Sequence, residues 1–217
     1  MGYVEFPPFN YTDENGVAQG AMADLARDII ANAGYDISFR AYPAKRLAKN
    51  IVSGKIDFWI GLSTLENLTE HTEISSMPVN SAVLRAYSTK VMPPVKTKKD
   101  LNGKHILILH GYSYGGWFDY IKDPNNNITY ESAIKHDQAL RMLSSHRVDY
   151  LLDYQLPIDL ALENMDLPEL YYHDVLTVQG RIVISKKLPN AKEVLLELEN
   201  SYKQLQLKSV EMQQGKN

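Results

Sequence analysis

The order of apolar and polar residues predicts alternating helices and strands in the first quarter of the chain. After Gly20, an amphipathic stretch shows helical spacing, and Gly34 is placed to end that helix. The segment YDISFRAY then alternates as a strand, and AKRLAKNIVS predicts a second helix that ends at Gly54. A buried strand is predicted over 56–60. The apolar positions of the first helix are Met22, Leu25, Ile29, Ile30 and Ala33.

A similar succession of elements occurs again in the second half of the chain. The first copy runs from ISF through RLAKNIVSG to KIDFWIG, and the second runs from ITY through ALRMLSSH to RVDYLLD. Each helix ends in Ser followed by Gly or His, then a basic residue, a β-branched residue and Asp. We interpret this as an internal repeat of one supersecondary unit, and so as two lobes. The alternative is a chance likeness between two βαβ patterns.

Two further strands could carry the chain between these lobes. The first is predicted over 80–89, and an exposed, Pro- and Lys-rich connection over 90–104 follows it. The second is LTVQGRIVISKK, after which a helix is predicted over 190–207 with a polar tail that frays.

Strands that alternate with helices predict an α/β fold with parallel-type sheets. We predict a bilobal molecule of two βα lobes joined by two hinge strands. Lobe one comprises 1–86 and 177–217, and lobe two comprises 87–176. Ligands of α/β folds bind at the carboxyl ends of strands, so a cleft between the lobes is the expected site.

The composition of the chain argues against several classes of function. The chain has 217 residues, 44% of them hydrophobic, and a net charge of −3, which argues against nucleic-acid binding. It has no cysteine, so disulfides and Cys-based metal sites are excluded. The six histidines show no metal-ligand spacing, and no nucleophile elbow is present. We therefore predict no metal, no cofactor and no enzymatic activity.

The first candidate site lies near the N-terminus, where Phe6, Phe9 and Tyr11 flank two prolines. An aromatic cluster on a rigid backbone can be core or can form one wall of a pocket. We interpret it as the lobe-one wall, because a preordered backbone loses little entropy when a ligand arrives.

Other lobe-one candidates follow predicted strands. Tyr42 and Arg46 come just after the second strand, and Arg46 could offer a bidentate fork to an anion. Ser63 and Thr64 follow the strand IDFWI, where they could contact a ligand or simply cap a helix.

The lobe-two candidates are a glycine-rich turn and the end of a strand. In LHGYSYGGW, the backbone N–H groups from Gly111 to Tyr114 favour an anion, and Tyr112 and Ser113 add polar groups; the alternative is a tight structural turn. Asp153 and Tyr154 end the strand YLLDY, and a carboxylate there could pair with an ammonium group. Of the histidines, only His110 lies next to this turn in the sequence, at the predicted ligand site.

Four segments in order resemble the extracellular solute-binding proteins of family 3, which include the polar amino acid receptors of ABC importers. The four segments are PPFNYTDENGVAQGAMADLARDI, SGKIDFWIGLST, DLNGKHILILHGYSYG and SHRVDYLLDY. The resemblance implies a type II periplasmic-binding-protein fold that closes about a hinge on a ligand held between its lobes. It also implies a periplasmic location, with Met1 and Gly2 standing in for a removed leader.

The ligand-binding residues that the family resemblance implies match these candidates at all but one position. Thr64 matches the pattern, but Asn67 stands where the family has its carboxylate-binding Arg, and Asn lacks a charged fork. Arg46, in a Pro-x-x-Arg form seen in a divergent branch, is the first substitute, and Arg85 is the second. In lobe two the resemblance assigns the turn from Gly111 to an anion, and the Asp153 region to an ammonium.

The predicted function is therefore capture of a small polar, amino-acid-like or carboxylate ligand by hinge closure, for delivery to an ABC permease by a monomer. Two alternatives stay open: a ligand-sensing module of a signalling receptor, and a dehydratase-like enzyme on the same scaffold with Asp153 as its acid.

Overall fold

The computed structural model describes residues 1–62 and 68–214. The chain divides into two compact units. Unit 1 comprises residues 1–80 and 179–217, and unit 2 comprises residues 81–178. The boundaries predicted from the sequence lie at 86/87 and 176/177, close to these crossing points.

Unit 1 combines short strands with helices, and its final helix comes from the end of the chain. Its elements are β1 (Gly2–Tyr3), β2 (Tyr11–Thr12), β3 (Ala18–Gln19), α1 (Ala21–Asn32), β4 (Arg40–Ala41), α2 (Ala44–Ser53), β5 (Phe58–Leu62), α3 (Leu68–His71), β6 (Thr72–Ile74) and α7 (Ala191–Gln214).

The predicted helix ends of unit 1 are confirmed. Helix α1 ends before Gly34, which has φ +81°, and α2 ends at Gly54 with φ +76°. Both angles lie in the left-handed region that glycine adopts without strain. The apolar face of α2 buries Leu47 and Ile51 against Trp59, which anchors this helix on strand β5.

The predicted strand over residues 35–42 is much shorter in the structure. The backbone N–H of Tyr35 donates to the Ile30 carbonyl at 3.0 Å and so completes the end of α1. Only Arg40 and Ala41 pair with β1, which is itself two residues long. The alternating pattern was overridden because a capped helix end and a short partner strand left only two residues to pair.

Helix α7 extends to Gln214, so the predicted end at residue 207 and the frayed tail are wrong for that part of the chain. Its buried stripe includes Leu195, Leu198 and Tyr202. The Ser201 hydroxyl donates to the Ile29 carbonyl at 2.7 Å, which joins α7 to α1.

Unit 2 is a βα assembly with its strands in the order β7-β10-β8-β9. Strand β8 runs parallel to both β9 and β10, as the sequence predicts, and β10 runs antiparallel to β7. The elements are β7 (Asn80–Ser88), β8 (His105–Leu109), α4 (Trp117–Ile121), β9 (Thr129–Ala133), α5 (His136–Ser144), β10 (Tyr150–Tyr154), α6 (Gln155–Leu162) and β11 (Tyr171–Ser185).

Strand β11 begins in unit 2 and ends in unit 1, where its last residues pair antiparallel with β5 and β6. Within unit 2, the core forms where α5 and α6 cover one face of the sheet. It contains Leu107, Leu140, Leu143, Leu151 and Ile158.

The connection over 90–104 is mostly exposed, as predicted, but two of its apolar residues are buried. A 3-10 turn at Lys98–Leu101 is capped by Thr97 and Asp100, and it buries Leu101 completely. Val95 is also buried. These two apolar residues anchor the connection within unit 2.

Candidate functional site

The aromatic stretch of unit 1 forms a compact turn. The rings of Phe6 and Phe9 stack with centroids 5.0 Å apart, and the Phe6 carbonyl accepts from the N–H groups of Phe9 and Asn10. Phe9 is buried, whereas Phe6 is half-buried. Phe9 therefore belongs to the core, whereas part of the Phe6 side chain is accessible, and the role of this turn as a pocket wall stays a prediction.

Tyr11 lies on the small hairpin that follows this turn. Its ring is 37% exposed, and strand β2 pairs with β3 through Tyr11 and Gln19. The hairpin is closed by Asp13, whose carboxylate accepts from the N–H groups of Asn15 and Val17. The hydrogen bond from the Val17 N–H lowers the pKa of Asp13 most, so its carboxylate remains charged in this turn.

The other described candidates of unit 1 are Tyr42 and Arg46. Tyr42 packs beside the Leu47 cluster, and the Arg40 guanidinium lies over its ring at 5.6 Å. Arg46 lies in the first turn of α2 and is exposed, and it forms no ion pair with any residue in the described ranges. Ser63, Thr64 and Asn67 lie outside the described residues.

The candidates of unit 2 gather where parallel strands end. Strands β8, β9 and β10 are parallel neighbours, so their carboxyl ends lie at one edge of the sheet. The turn with Gly111 follows β8, His136 begins α5 three residues after the end of β9, and β10 ends with Asp153 and Tyr154. This edge is where α/β folds hold ligands. We call these three chain segments the carboxyl-end cluster.

The turn after β8 depends on left-handed backbone conformations. Gly111 has φ +86° and Tyr114 has φ +52°, an uncommon angle for a residue with a side chain. The Tyr114 hydroxyl accepts a hydrogen bond of 2.6 Å from the Leu109 N–H, and its ring is completely buried. The exposed residues Gly111 and Ser113 keep backbone N–H groups that meet no acceptor in residues 1–62 and 68–214.

Three tyrosine rings pack together in the carboxyl-end cluster. Tyr114 stacks on Tyr154 at 5.8 Å, and Tyr112 makes an edge contact with Tyr114 at the same distance. Burial raises the pKa of all three phenols, and the nearby Asp153 charge adds to the effect. The hydroxyls therefore stay protonated and can donate hydrogen bonds at neutral pH.

Asp153 is completely buried and is paired with a histidine. Its Oδ2 lies 2.7 Å from Nδ1 of His136, and its Oδ1 accepts from the Tyr154 N–H at 2.7 Å. Burial raises the pKa of Asp153, and the contact with His136 acts in the opposite direction. The His136 side chain is 17% exposed and its ring lies 6.1 Å from that of Tyr112.

The sequence pattern missed His136. The pattern identified His110, which is exposed beside Gly111, as the one histidine next to the predicted ligand site. A usable signal was present, because His136 follows the predicted strand ITY and begins a helix at the same sheet edge as Asp153. Seventeen residues separate the two side chains in the sequence, and the parallel strands bring them together.

Arg85 lies on β7, with Asp153 as its cross-strand Cα partner. Its Nε donates to Asp174 at 2.7 Å, and its guanidinium lies 4.0 Å above the ring of Tyr172. Its side chain is only 12% exposed. The guanidinium is thus already held by a carboxylate and a ring, whereas Arg46 in unit 1 projects to the surface.

The described ranges show neither a metal cluster nor a membrane-spanning helix. Residues 1–62 and 68–214 contain no cluster of three or more acidic or histidine side chains that could hold a metal ion. Over the same ranges, every helix is either too short or too polar to span a bilayer.

Residues 2–83 match the model of the bacterial extracellular solute-binding proteins, family 3. This match confirms the family resemblance drawn from the sequence. No curated protein matches the chain significantly.

Solved structures resemble the chain over nearly its whole length. A histidine kinase sensor domain with similarity to periplasmic binding proteins has a TM-score of 0.70 at 18% identity, over 96% of this chain and 89% of that one. An ancestral arginine-binding protein bound to arginine gives 0.68 at 22% identity, over 96% and 92%. The arginine-bound ArgBP of T. maritima, as its Gly52Ala mutant, gives 0.65 at 22% identity, over 94% and 93%.

The ancestral amino acid-binding protein AncCDT-1, a precursor of cyclohexadienyl dehydratase, gives a TM-score of 0.68 at 18% identity, over 96% and 88%. At these identities the likeness shows the fold alone. The fold is that of the type II periplasmic-binding proteins, as the sequence predicts.

Proposed function

We propose that this chain is a periplasmic solute-binding protein that captures a small polar ligand and delivers it to an ABC importer. The observation that carries the proposal is the carboxyl-end cluster, where exposed backbone N–H groups, tyrosines and a buried His–Asp pair meet at one sheet edge. The family match over residues 2–83 supports a binding role. Hinge closure rests on the sequence resemblance.

The expected ligand is amino-acid-like or carries a carboxylate. Arg46 supports this, because an exposed guanidinium without an ion pair in the described ranges can take a carboxylate in two parallel hydrogen bonds. The N–H groups at Gly111 and Ser113 favour the same kind of group. The predicted roles of Phe6, Phe9, Tyr11 and Tyr42 as a lobe-one wall form part of the proposal.

Thermal unfolding with a panel of polar metabolites tests the binding role. A ligand at a hundredfold excess over its Kd stabilises the folded state by about 2.7 kcal/mol. For a chain of this length we expect the Tm to rise by roughly 5–10 °C. Failure of every amino acid, carboxylate and amine to raise the Tm would overturn the proposal.

A second candidate is the ligand-sensing module of a signalling receptor, which the likeness to a histidine kinase sensor domain favours. Ligand binding is the same in both cases. The two candidates differ in the partner of the bound form, which is a permease for transport and a signalling domain for the sensor. The full gene product decides between them: a downstream kinase domain would favour the sensor, and a permease encoded beside it would favour transport.

A dehydratase activity on the same fold is not favoured by the cluster. A general acid must reach its substrate, and the Asp153 carboxylate is completely buried behind His136 and the Tyr154 N–H. We expect no turnover of a prephenate-type substrate, and measurable turnover that is lost in Asp153→Asn would reverse this conclusion.

A further inference from the structure

We propose that the outer face of helix α2 is a docking surface for an anionic phospholipid membrane. We call this surface the basic face. It comprises the three exposed cations of α2, which are Lys45, Arg46 and Lys49, together with the exposed Lys55 and Lys187 at the carboxyl end of the helix. All five residues belong to unit 1. The proposal goes beyond solute binding and does not depend on which ligand the chain captures.

The sequence around α2 is positively charged. Between Asp36 and Asp57 the chain carries five basic residues and no acidic one, although the whole chain has a net charge of −3. Lys45 and Lys49 are four residues apart, so they project from the same side of the helix. A stretch of one sign creates a local field that attracts anions even on an acidic protein.

Helix α2 has one apolar side and one polar side. Leu47 and Ile51 are completely buried in a cluster with Trp59. The exposed positions of the helix are Lys45, Arg46, Lys49 and Ser53. At the end of the helix, the Cβ of Lys187 lies 2.5 Å from the position that a Cβ would take at Gly54, which places this lysine against the helix terminus. The cations therefore gather on the side of α2 that faces away from the core.

The other long helices of unit 1 do not share this property. Helix α1 exposes the carboxylates of Asp24 and Asp28, and α7 exposes Glu193 and Glu197 beside Lys192. Of these three helices, α2 is the one whose exposed side chains carry charge of a single sign.

Neighbouring carboxylates do not neutralise the basic face. None of its five cations forms an ion pair with any residue in the ranges 1–62 and 68–214. Glu70 lies on α3, which packs beside α2, and within these ranges it too forms no ion pair. The positive charges are therefore available to an external anionic surface.

The composition of the basic face favours a lipid surface over a protein. The core of a protein–protein interface is enriched in aromatic residues and depleted in lysine. The exposed positions of α2 include no aliphatic or aromatic side chain, and four of the five cations of the basic face are lysines. Lysine is a compact charge on a flexible stem, which suits mobile headgroups. On an anionic membrane, each such cation raises the binding constant by about fivefold.

Co-sedimentation of the full chain with lipid vesicles tests the proposal. We expect binding to vesicles of phosphatidylcholine mixed with phosphatidylglycerol, and no binding to vesicles of phosphatidylcholine alone. Salt at about 1 M should release the chain, because the screening length falls to about 3 Å. Equal binding to both kinds of vesicle, or to neither, would overturn the proposal. The assay contains no solute, so its outcome is independent of the proposed binding function.

Two double variants test whether α2 is the surface that binds. Lys45→Gln/Lys49→Gln should lower the binding constant for anionic vesicles by about 25-fold, at about fivefold for each lysine. Lys96→Gln/Lys99→Gln is the matched control, since it removes the same charge from two exposed lysines beside Asp100 and should bind as wild type does. An equal loss in both variants would overturn the assignment to α2. Both should keep the Tm of wild type, because all four lysines are exposed.

Poly-L-glutamate separates a lipid partner from an acidic protein partner, because it presents carboxylates without a membrane. We expect the chain to stay on phosphatidylglycerol vesicles in the presence of poly-L-glutamate at equal charge. Binding to poly-L-glutamate together with no binding to the vesicles would overturn the lipid assignment and favour an acidic protein. Arg46 is unchanged in both double variants, because it is also a candidate contact of the solute.

Discussion

The candidate residues of the two units differ in how firmly the surrounding structure holds them. In unit 1, Tyr11 and Arg46 are exposed and Phe6 is half-buried. In unit 2, Tyr114 and Asp153 are completely buried, and each makes a hydrogen bond inside the unit. Tyr114 and Asp153 therefore contribute to the stability of the fold, whereas Tyr11 and Arg46 can change with little effect on folding. Substitutions at the exposed unit 1 residues should change ligand affinity without changing stability, whereas substitutions at the buried unit 2 residues should change both.

The largest loss of stability is expected from Asp153→Ala. The substitution leaves a cavity and removes the partner of two groups, His136 Nδ1 and the Tyr154 N–H, and each buried group left without a partner lowers stability by about 1–3 kcal/mol. Urea unfolding measures the change. Asp137→Ala, which removes an exposed pair with Arg141, is the control and should lose less than about 1 kcal/mol. Similar losses in both variants would contradict the buried pair.

A smaller loss is expected from Tyr114→Phe. The buried N–H of Leu109 would lose its acceptor, which lowers stability by about 1–3 kcal/mol. Guanidinium unfolding should detect the change as a lower midpoint with the same slope. Tyr171→Phe, at a half-exposed ring, is the control and should stay within about 0.5 kcal/mol.

The pH dependence of two carboxyl groups should have opposite signs. The pKa of Asp153 is raised in the folded state above its ordinary value of 3.8, so its contribution to stability is fully present below that value and declines as the pH rises through the folded pKa. The pKa of Asp13 is lowered, so its contribution is present above 3.8 and declines as the pH falls through the folded pKa.

Unfolding of wild type, Asp153→Asn and Asp13→Asn across acidic pH measures these contributions. The difference between wild type and Asp153→Asn should shrink as the pH rises, and the difference for Asp13→Asn should grow. The same sign for both groups would contradict the contrast between a buried and an exposed carboxylate.

The smallest effect on folding is expected from Arg46→Gln in unit 1. The exposed side chain forms no ion pair within the described ranges, so stability should change by less than about 0.5 kcal/mol. The affinity for a carboxylate ligand should still fall by tenfold or more, because a charged fork is lost. Lys49→Gln, another exposed cation of α2, is the control, and an equal loss in both variants would argue against a specific role for Arg46.

Much of the fold could be predicted because local chemistry specifies it. Gly34 and Gly54 end helices at positive φ, and the apolar stripe on α2 faces its strand. The candidate site was predicted less completely. Gly111, Tyr112, Tyr114, Asp153 and Tyr154 lie in one cluster, but Arg85 is already bound to Asp174 and His136 was missed.

The alternation of helices and strands and the helix ends at Gly34 and Gly54 follow from the sequence alone, because each depends on neighbours within a few residues. The contact of Asp153 with His136, the pairing of β4 with β1 over just two residues, and the hydrogen bond from Ser201 of α7 to Ile29 of α1 appear only in the tertiary structure. These contacts depend on packing between segments far apart in the chain. A pattern of apolar positions shows which face is buried, but not which side chain lies opposite.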